Sequence, residues 1–496
     1  MVGKTKLISL FSAACISVSA YSEQNIHFNT DTIADTEYNL MINPDTVLPM
    51  KVKPWQALAE DLGVNAVILA FDRYVQNRSY ARITGATIKH NFRTGFVWDN
   101  DSFSGNQFSH PYHGSMFYNA ARQNGLNYWQ SLAYPIIGSL TWEFFCETNE
   151  PAINDLLSTG IGGSAIGEVT HRSSDLIFDN RTRGFNRVIR EIGGSLLNPI
   201  RGLHRLFTGE MWKVGPIKGR QTEKEPFELE VGAGNRYISS ESGFKGGMNV
   251  PYVELTMNYG DRMESNEHKP FDWFYMYLLA NISSDQSSIG DMDIWGRLWD
   301  KKFFINDKFA MDLGIYQMVK YVETYPVKDC NESDFPIISE AVSAGPGLFC
   351  QYKGRKTDFS NDLIVGGIAL GGSRTDYFKI RKYNFGSGFS IRDNIQINFA
   401  DKFRIGNRFY FGQLYSSGYS PEELNHKIEN SININTQGDS GSHSIITNKT
   451  YLQVEFLKNV KLNLEHAIYY RKSNYKYYES VSAKSYEYNI GLIYCI

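Results

Sequence analysis

The chain has 496 residues, with 50 Lys and Arg against 53 Asp and Glu, so its formal net charge is only −3. This near balance excludes no fold, but it gives no reason to expect nucleic acid or another polyanion as a partner. Tyr and Phe number 31 each and Pro only 15, a composition typical of long strands that end at a membrane interface.

The N-terminus has the pattern of a secretory signal peptide. Lys4 and Lys6 precede an apolar run, and Val18-Ser19-Ala20 is a small-residue cleavage site that makes Tyr21 the first mature residue. Lipoprotein processing at Cys15 is the alternative, and it is disfavoured because the apolar run before it is short. The sequence therefore predicts export across the inner membrane.

A helical domain of about five helices is predicted over residues 54–215. Pro54 starts a helix that reaches about Asn77, because apolar residues recur there at helical spacing. An aromatic loop is predicted over 80–107 and three apolar helices over 108–172. The residues before the domain are polar and lack an apolar period, which predicts a flexible lead-in.

The third apolar helix contains Gly160, Gly163 and Gly167. Small residues at this spacing let a neighbouring helix approach closely. A last helix, predicted over 182–207, is rich in arginine and has no matching acidic run. Two interpretations stay open for it: a surface that faces lipid headgroups, or an ordinary solvated face, which is favoured.

From residue 226 the hydrophobic pattern changes to a period of two. Segments such as Val253–Tyr259, Ile395–Phe399 and Val460–Ile468 have one apolar and one polar face. Repeats of roughly ten residues suit tilted strands that cross a bilayer. Counting them predicts an antiparallel transmembrane β-barrel of about twelve strands. A soluble sandwich is the alternative, and it leaves the signal peptide unexplained.

The connections between these strands alternate in length. Tight turns are predicted at Asn306-Asp307, Asp401-Lys402 and Lys458-Asn459, and longer connections near Ser242, Cys330, Lys379, Asn430 and Asn474. Outer-membrane barrels alternate short periplasmic turns with long outer loops in this way. Because the strand number is even, the helical domain and the C-terminus are predicted on the periplasmic side.

Ionisable residues in the apolar helices form the candidate site. His110 and His113 are three residues apart, and Glu143 and Glu147 are four apart, so each pair shares a helix face. Together with Asp155 they are candidate catalytic residues. Three interpretations stay open: a buried hydrogen-bond network, which is favoured, an acid–base site and a metal site. No metal or cofactor is therefore assigned.

Two cysteines leave a further question open. Cys330 and Cys350 have a spacing that allows a disulfide across a loop in an oxidising compartment. No CxxC pair is present in the sequence, which argues against a zinc ribbon.

The segments HPYHG, WEFF and ND, within QFSHPYHGSMFYNAARQNG, GSLTWEFFCE and PAINDLLSTGIGGSAIGE, resemble a bacterial family of unknown function, DUF3943. The resemblance covers about 54–214 and implies a helical domain followed by a barrel. It implies no activity, because none is assigned to that family.

The sequence thus predicts an α+β chain with four parts: a signal peptide (1–20), a flexible lead-in (21–53), a periplasmic-side helical domain (54–215) and an outer-membrane β-barrel (226–496). The favoured function is that of a barrel whose helical domain braces or plugs the periplasmic mouth. The alternative is an envelope enzyme acting on a lipid or cell-envelope substrate through the His/Glu/Asp cluster. Expected partners are outer-membrane lipid and a small solute or lipid ligand, with no nucleic acid.

Overall fold

The computed structural model describes residues 47–48, 50–218, 226–264, 269–400 and 402–496. The predicted signal peptide, most of the predicted lead-in and position 401 of one predicted turn lie outside these residues. The chain divides into two compact units. The first, the helical unit, runs up to Phe96 and resumes at His110, and the second, the barrel unit, contains Val97–Ser109 and Pro226–Ile496.

The helical unit contains α1 (Pro54–Tyr74), α2 (Gly85–Thr94), α3 (His110–Arg122), α4 (Tyr128–Ser131), α5 (Ala133–Phe145), α6 (Ile153–Leu157), α7 (Gly163–Ile177), α8 (Gly184–Leu197) and α9 (Pro199–Thr208). A short parallel pair joins β1 (Val47–Leu48) to β2 (Ile217–Lys218). No helix among the described residues is long and apolar enough to span a membrane.

The described residues form more helices than the predicted five, for two local reasons. Within the predicted loop over 80–107, α2 begins at a capping box in which Thr84 and Thr87 satisfy each other's backbone amides. The predicted helix over 182–207 is divided at Pro199, where the Asn198 side chain accepts a hydrogen bond from the Arg201 amide and caps α9.

The centre of the helical unit is the crossing of α3 and α7. A Cβ on Gly163 would lie 2.6 Å from the Gly114 Cα, and one on Gly167 would lie 2.6 Å from the Tyr118 ring. Side chains larger than glycine therefore cannot occupy this crossing. The predicted close approach at these small residues is confirmed.

The barrel unit is a closed, antiparallel, twelve-stranded barrel in which the last strand pairs with the first. Its strands are β3 (Phe227–Ser239), β4 (Met248–Tyr259), β5 (Phe274–Asn281), β6 (Ile289–Asn306), β7 (Phe309–Glu323), β8 (Ile337–Lys353), β9 (Thr357–Arg374), β10 (Tyr383–Phe399), β11 (Phe403–Ser416), β12 (Gly441–Leu457), β13 (Val460–Tyr475) and β14 (Val481–Cys495). The predicted fold class and strand number are confirmed.

The two mouths of the barrel differ in their connections. Short turns after β6, β8, β10 and β12 form one, the tight-turn mouth, and longer connections form the other, the long-connection mouth. The longest of these, between β11 and β12, contains α10 (Pro421–Glu429). An exception at the tight-turn mouth is the connection of β4 to β5, from which Arg262 folds inward over the Trp273 ring at 4.0 Å.

The open question of a disulfide is answered by the barrel. Cys330 lies in the connection of β7 to β8 at the long-connection mouth, whereas Cys350 lies near the tight-turn end of β8. Both thiols are free. The alternative of a bridge between them is therefore wrong.

Candidate functional site

The predicted His110 and Asp155 lie in direct contact in the helical unit. The His110 Nε2 is 3.5 Å from the Asp155 Oδ1, and its Nδ1 is 3.5 Å from the Thr159 Oγ1. We call these three residues the His110 site. With the Nε2 proton directed at the carboxylate, Nδ1 is the nitrogen that accepts from the hydroxyl. Carboxylate, imidazole and hydroxyl in this order form the general arrangement of a nucleophile, its base and the group that orients the base.

Two π-helical turns position the site. The turn Gly105–Ser109 ends immediately before His110, and Thr159 belongs to the turn Ser158–Gly162. Such turns occur often at functional sites because they redirect side chains within a helix. Thr159 and Asp155 are buried and His110 is only slightly exposed. Access to the site is therefore through the imidazole edge.

His113 lies one helical turn after His110, in an apolar and aromatic environment. Its ring packs against Phe117 and Trp142, with centroid distances of 4.5 and 5.5 Å. Burial, together with the nearby His110, lowers the pKa of His113 to about 3. Within the described residues its buried Nε2 has no hydrogen-bond partner. A general base must accept a proton near the working pH, which this imidazole resists.

The two predicted glutamates have different surroundings. The Glu143 carboxylate accepts a hydrogen bond of 2.7 Å from the Ala152 amide, where α6 begins. It thereby holds the helix that carries Asp155. Glu147 lies beside Cys146, whose pKa is raised to about 12 by burial and then by this carboxylate. The catalytic assignment of the five predicted residues stays a prediction.

A buried ion-pair network surrounds Glu168, an ionisable residue of the same apolar helices that is not among the five candidates. Its carboxylate accepts hydrogen bonds from Arg122 at 2.7 and 3.1 Å, from Arg172 at 2.8 Å and from the Tyr118 hydroxyl at 2.8 Å. Burial alone would raise the pKa of Glu168, but the two guanidinium groups lower it overall. This part of the ionisable set is structural.

Sequence reasoning missed two polar centres. Thr159 was not among the candidate residues, although its hydroxyl completes the His110 site. The buried Glu60 is bound by His204 at 2.8 Å, Gln56 at 3.1 Å and Asn124 at 2.9 Å. No local signal marked it, because His204 and Asn124 are far from Glu60 in the sequence. Among the described residues no group of His, Cys, Asp or Glu is arranged to hold a metal ion.

Charged side chains fill the barrel interior. Arg236, Arg297 and Arg392 are among the largest fully buried side chains of the described residues. Arg392 Nη2 lies 2.9 Å from Glu340 Oε2, and Lys449 Nζ lies 2.5 Å from Asp291 Oδ2. A cavity among these side chains, here called the central cavity, is about 30 Å³, which is room for a water or two. Charged and aromatic side chains therefore pack this part of the interior.

The outward face of the barrel is apolar. Leu363 and Val365 are exposed whereas Ile364 between them is buried, and Ile490 and Leu492 are exposed in β14. Charged side chains face the interior and apolar side chains face outward, whereas a soluble barrel has apolar side chains inside and polar ones outside. The alternation predicted from the sequence therefore has its apolar face outward, as lipid requires.

Part of the outer wall is covered by the segment Val97–Ser109, here called the outer-wall segment. Tyr321, Ser339, Gly372 and Phe385 are register partners across β7, β8, β9 and β10. Lys320, the neighbour of Tyr321, lines the central cavity. Because side chains alternate along a strand, this row faces outward. It lies near the long-connection mouth.

The outer-wall segment touches every member of that row. Phe103 stacks on Tyr321 at a centroid distance of 5.1 Å, and Trp98 packs against Phe385 at 5.0 Å. The Gln107 Oε1 accepts a hydrogen bond of 2.7 Å from the Ser339 hydroxyl. A Cβ at Gly372 would lie 3.1 Å from the Phe103 ring, so glycine makes the space for it.

Residues 95–200 match the model of a family described as Domain of unknown function (DUF3943). The predicted resemblance is confirmed, over a narrower range than 54–214. The matched range contains both the His110 site and the outer-wall segment. No curated protein matches the chain.

Several solved barrels are similar to about half of the chain. The NanC porin is 10% identical over 53% of this chain and 98% of its own, with a TM-score of 0.25. The KdgM porin is 11% identical over 53% and 98%, with a TM-score of 0.22. The CymD monoaromatic hydrocarbon channel is 10% identical over 55% and 89%, with a TM-score of 0.21. The strand pairing itself defines the barrel, and these similarities add no argument to it.

Proposed function

We propose that this protein is an outer-membrane barrel with a closed lumen, and that it acts as a structural or anchoring element rather than as an open pore. The observation that carries the proposal is the burial of Arg236, Arg297 and Arg392 inside the barrel. In a water-filled pore these guanidinium groups would face solvent. Breaking one buried pair strands its partner charge at a cost of about 3–5 kcal/mol, so the network holds the lumen shut.

The membrane location rests on the apolar outer wall and the predicted signal peptide. After cell fractionation the protein is expected in the outer membrane, and unboiled samples are expected to migrate faster on gels than boiled ones. Recovery of the whole protein from the soluble periplasm would contradict the location. Outer-membrane lipid is then its first partner.

The sequence predicts that the helical domain braces or plugs the periplasmic mouth. The outer-wall segment supports a more specific proposal, that this stretch of the family region anchors the chain to the barrel wall. Its row of contacts lies at the long-connection mouth, and in outer-membrane barrels the mouth with the longer connections usually faces the cell exterior. Bracing by this segment would therefore act on the wall near that mouth.

Cysteine cross-linking tests the anchor. In a chain whose native cysteines are replaced by serine, the pair Gln107→Cys and Ser339→Cys is expected to be joined in cells by a short thiol-specific cross-linker, because the two native side chains are hydrogen-bonded at 2.7 Å. The matched control combines Gln107→Cys with Val365→Cys, an exposed position on the same wall. Equal cross-linking of both pairs, or none in either, would contradict the anchor.

A second candidate is the envelope enzyme. The observation that favours it is the His110 site, in which His110 would act as base, Thr159 as nucleophile and Asp155 as the orienting carboxylate. The contacts of 3.5 Å are long for hydrogen bonds, as apo sites often are before substrate binds. No substrate class follows from the geometry beyond the predicted lipid or cell-envelope component.

Conservative variants separate an active site from a structural contact. His110→Gln and Asp155→Asn keep the side-chain shape and should leave a folded, abundant protein. If the site is catalytic, both variants lose the cleavage of liposome lipids or envelope material that the wild type shows. Cleavage by the wild type that both variants retain, or no cleavage by any of the three, would reject the enzyme.

A further inference from the structure

The apolar side of α8 faces solvent rather than the core of the helical unit. Phe185, Ile189 and Ile192 are 78%, 53% and 57% exposed, and Val188 and Leu196 are exposed as well. At 100° per residue these positions fall within an arc of about 100°, the width of an ordinary core-facing stripe. A stripe of this kind is normally covered.

The opposite side of α8 packs buried charged residues against α9 and its neighbours. Arg187 Nε lies 2.8 Å from Glu191 Oε1, and Arg205 Nη2 lies 2.7 Å from the same carboxylate. Arg201 Nη2 lies 2.5 Å from Asp175 Oδ1. Arg187, Arg201 and Arg205, which the sequence assigned to a solvated face, are therefore buried in ion pairs. The favoured solvated-face interpretation is wrong for these residues, because the helix is turned with its apolar stripe outward.

Further apolar residues are exposed on α9 and in the turn after it, namely Leu206, Phe207, Trp212 and Val214. The exposed charges of this region are the cations Arg183 and Lys213. Its acids are paired with arginine, since the buried Glu191 binds Arg187 and Arg205, and the half-buried Glu210 pairs with Arg205. The region therefore combines aromatic and aliphatic side chains with a cationic border, which is the composition of helices that lie in a membrane interface.

We propose that this surface, the α8 face, docks on a membrane containing anionic phospholipid. The apolar stripe enters the boundary of the acyl chains, and Arg183 and Lys213 contact phosphate groups. An extended chain covers at most about 3.5 Å per residue, so the link from Val214 to Phe227 spans at most about 45 Å. The chain thus links the α8 face, over no more than that length, to a strand proposed to cross the bilayer, and this step rests on the proposed outer-membrane location.

Photo-cross-linking of the full chain tests the docking. The purified protein is placed in nanodiscs of phosphatidylcholine and phosphatidylglycerol, with a photoreactive phenylalanine analogue at Phe185 or Ile192. Val365 on the outer wall is the control for membrane insertion. Tyr74, which is 78% exposed like Phe185, is the control for exposure alone. Lipid adducts are expected at positions 185, 192 and 365, and none above background at 74.

The controls separate the two proposals. Lipid adducts at 365 without adducts at 185 and 192 would overturn the docking and leave the membrane location intact. No lipid adduct at any position would overturn the location as well. Cross-linked dimers at 185 or 192 in place of lipid adducts would show that a second copy covers the stripe, and would also overturn the docking.

The headgroup preference is tested with the same label at Ile192. Its lipid adduct is expected to decrease in nanodiscs of phosphatidylcholine alone, and to decrease in mixed nanodiscs when Arg183→Gln and Lys213→Gln are combined. The double variant keeps the apolar stripe, so its outer-wall control at Val365 should be unchanged. Equal yields in all three conditions would overturn the assignment to anionic phospholipid.

Discussion

Acidification is expected to loosen α3 through His113. The folded pKa of this imidazole is about 3 because of burial and the nearby His110, whereas an unfolded histidine titrates near 6.5. Between these two pKa values His113 therefore binds a proton in the unfolded chain but not in the folded chain. The contribution of the neutral imidazole to the free energy of unfolding is fully present above pH about 6.5, and it falls as the pH drops toward about 3. Between pH 7.5 and pH 5 the loss is about 2 kcal/mol, roughly a thirtyfold larger opening constant.

Hydrogen exchange measured by mass spectrometry on the full chain in detergent checks this value. Peptides from α3, corrected for intrinsic exchange rates, should lose about 2 kcal/mol of protection at pH 5. His113→Phe keeps an aromatic ring between Phe117 and Trp142 and should lose this part of the pH dependence. The part of the pH dependence that comes from His171 should remain in this variant, because burial also lowers the pKa of His171. The exposed His90→Gln should behave as wild type.

Protection of α3 that is equal at pH 7.5 and pH 5 in the wild type would refute the reasoning. It would mean that His113 is protonated in the folded protein, and therefore that a partner for its Nε2 exists which the described residues do not provide. An equal pH dependence in His113→Phe would assign the effect to other groups.

Three further outcomes are expected from single changes. Gly114→Ala would place a Cβ 1.9 Å from a carbonyl oxygen of the facing π-helical turn, so protease resistance of the helical unit should fall. Gly85→Ala, with nothing within 4 Å, should leave it unchanged. Glu168→Ala strands two buried arginines and should cost about 3–5 kcal/mol in urea unfolding, with Glu168→Gln costing less. A tag at Asn430 should be reachable from outside intact cells and one at Lys458 should not. The reverse pattern would show that the predicted orientation of the barrel is wrong.

The barrel could be predicted because its signals are local. Alternation such as that of Ile395–Phe399, and tight turns such as Lys458-Asn459, are properties of short windows, and closure follows from their number and order. The crossing of α3 and α7 was predictable for the same reason, since Gly163 and Gly167 mark it in one stretch of sequence.

The rest depends on contacts between distant residues. Ser339 and Gln107 are hydrogen-bonded although they are 232 positions apart in the sequence. No pattern near either residue predicts the outer-wall segment. Arg201 was assigned to a solvated face because its partner, Asp175, belongs to another helix. His110 and Asp155 were both identified, but the hydroxyl of Thr159 that contacts His110 lies in a π-helical turn, which has no sequence pattern of its own.

Electrical recording tests the closed lumen most directly. The purified full-length protein is inserted into a planar lipid bilayer, and an open porin inserted in the same way shows that channel currents are detectable. With Arg236, Arg297 and Arg392 buried in the lumen and a central cavity of about 30 Å³, the protein should give no steady single-channel current above that of the bare bilayer. A reproducible unitary conductance of the wild type would show an open path for ions and would contradict the account.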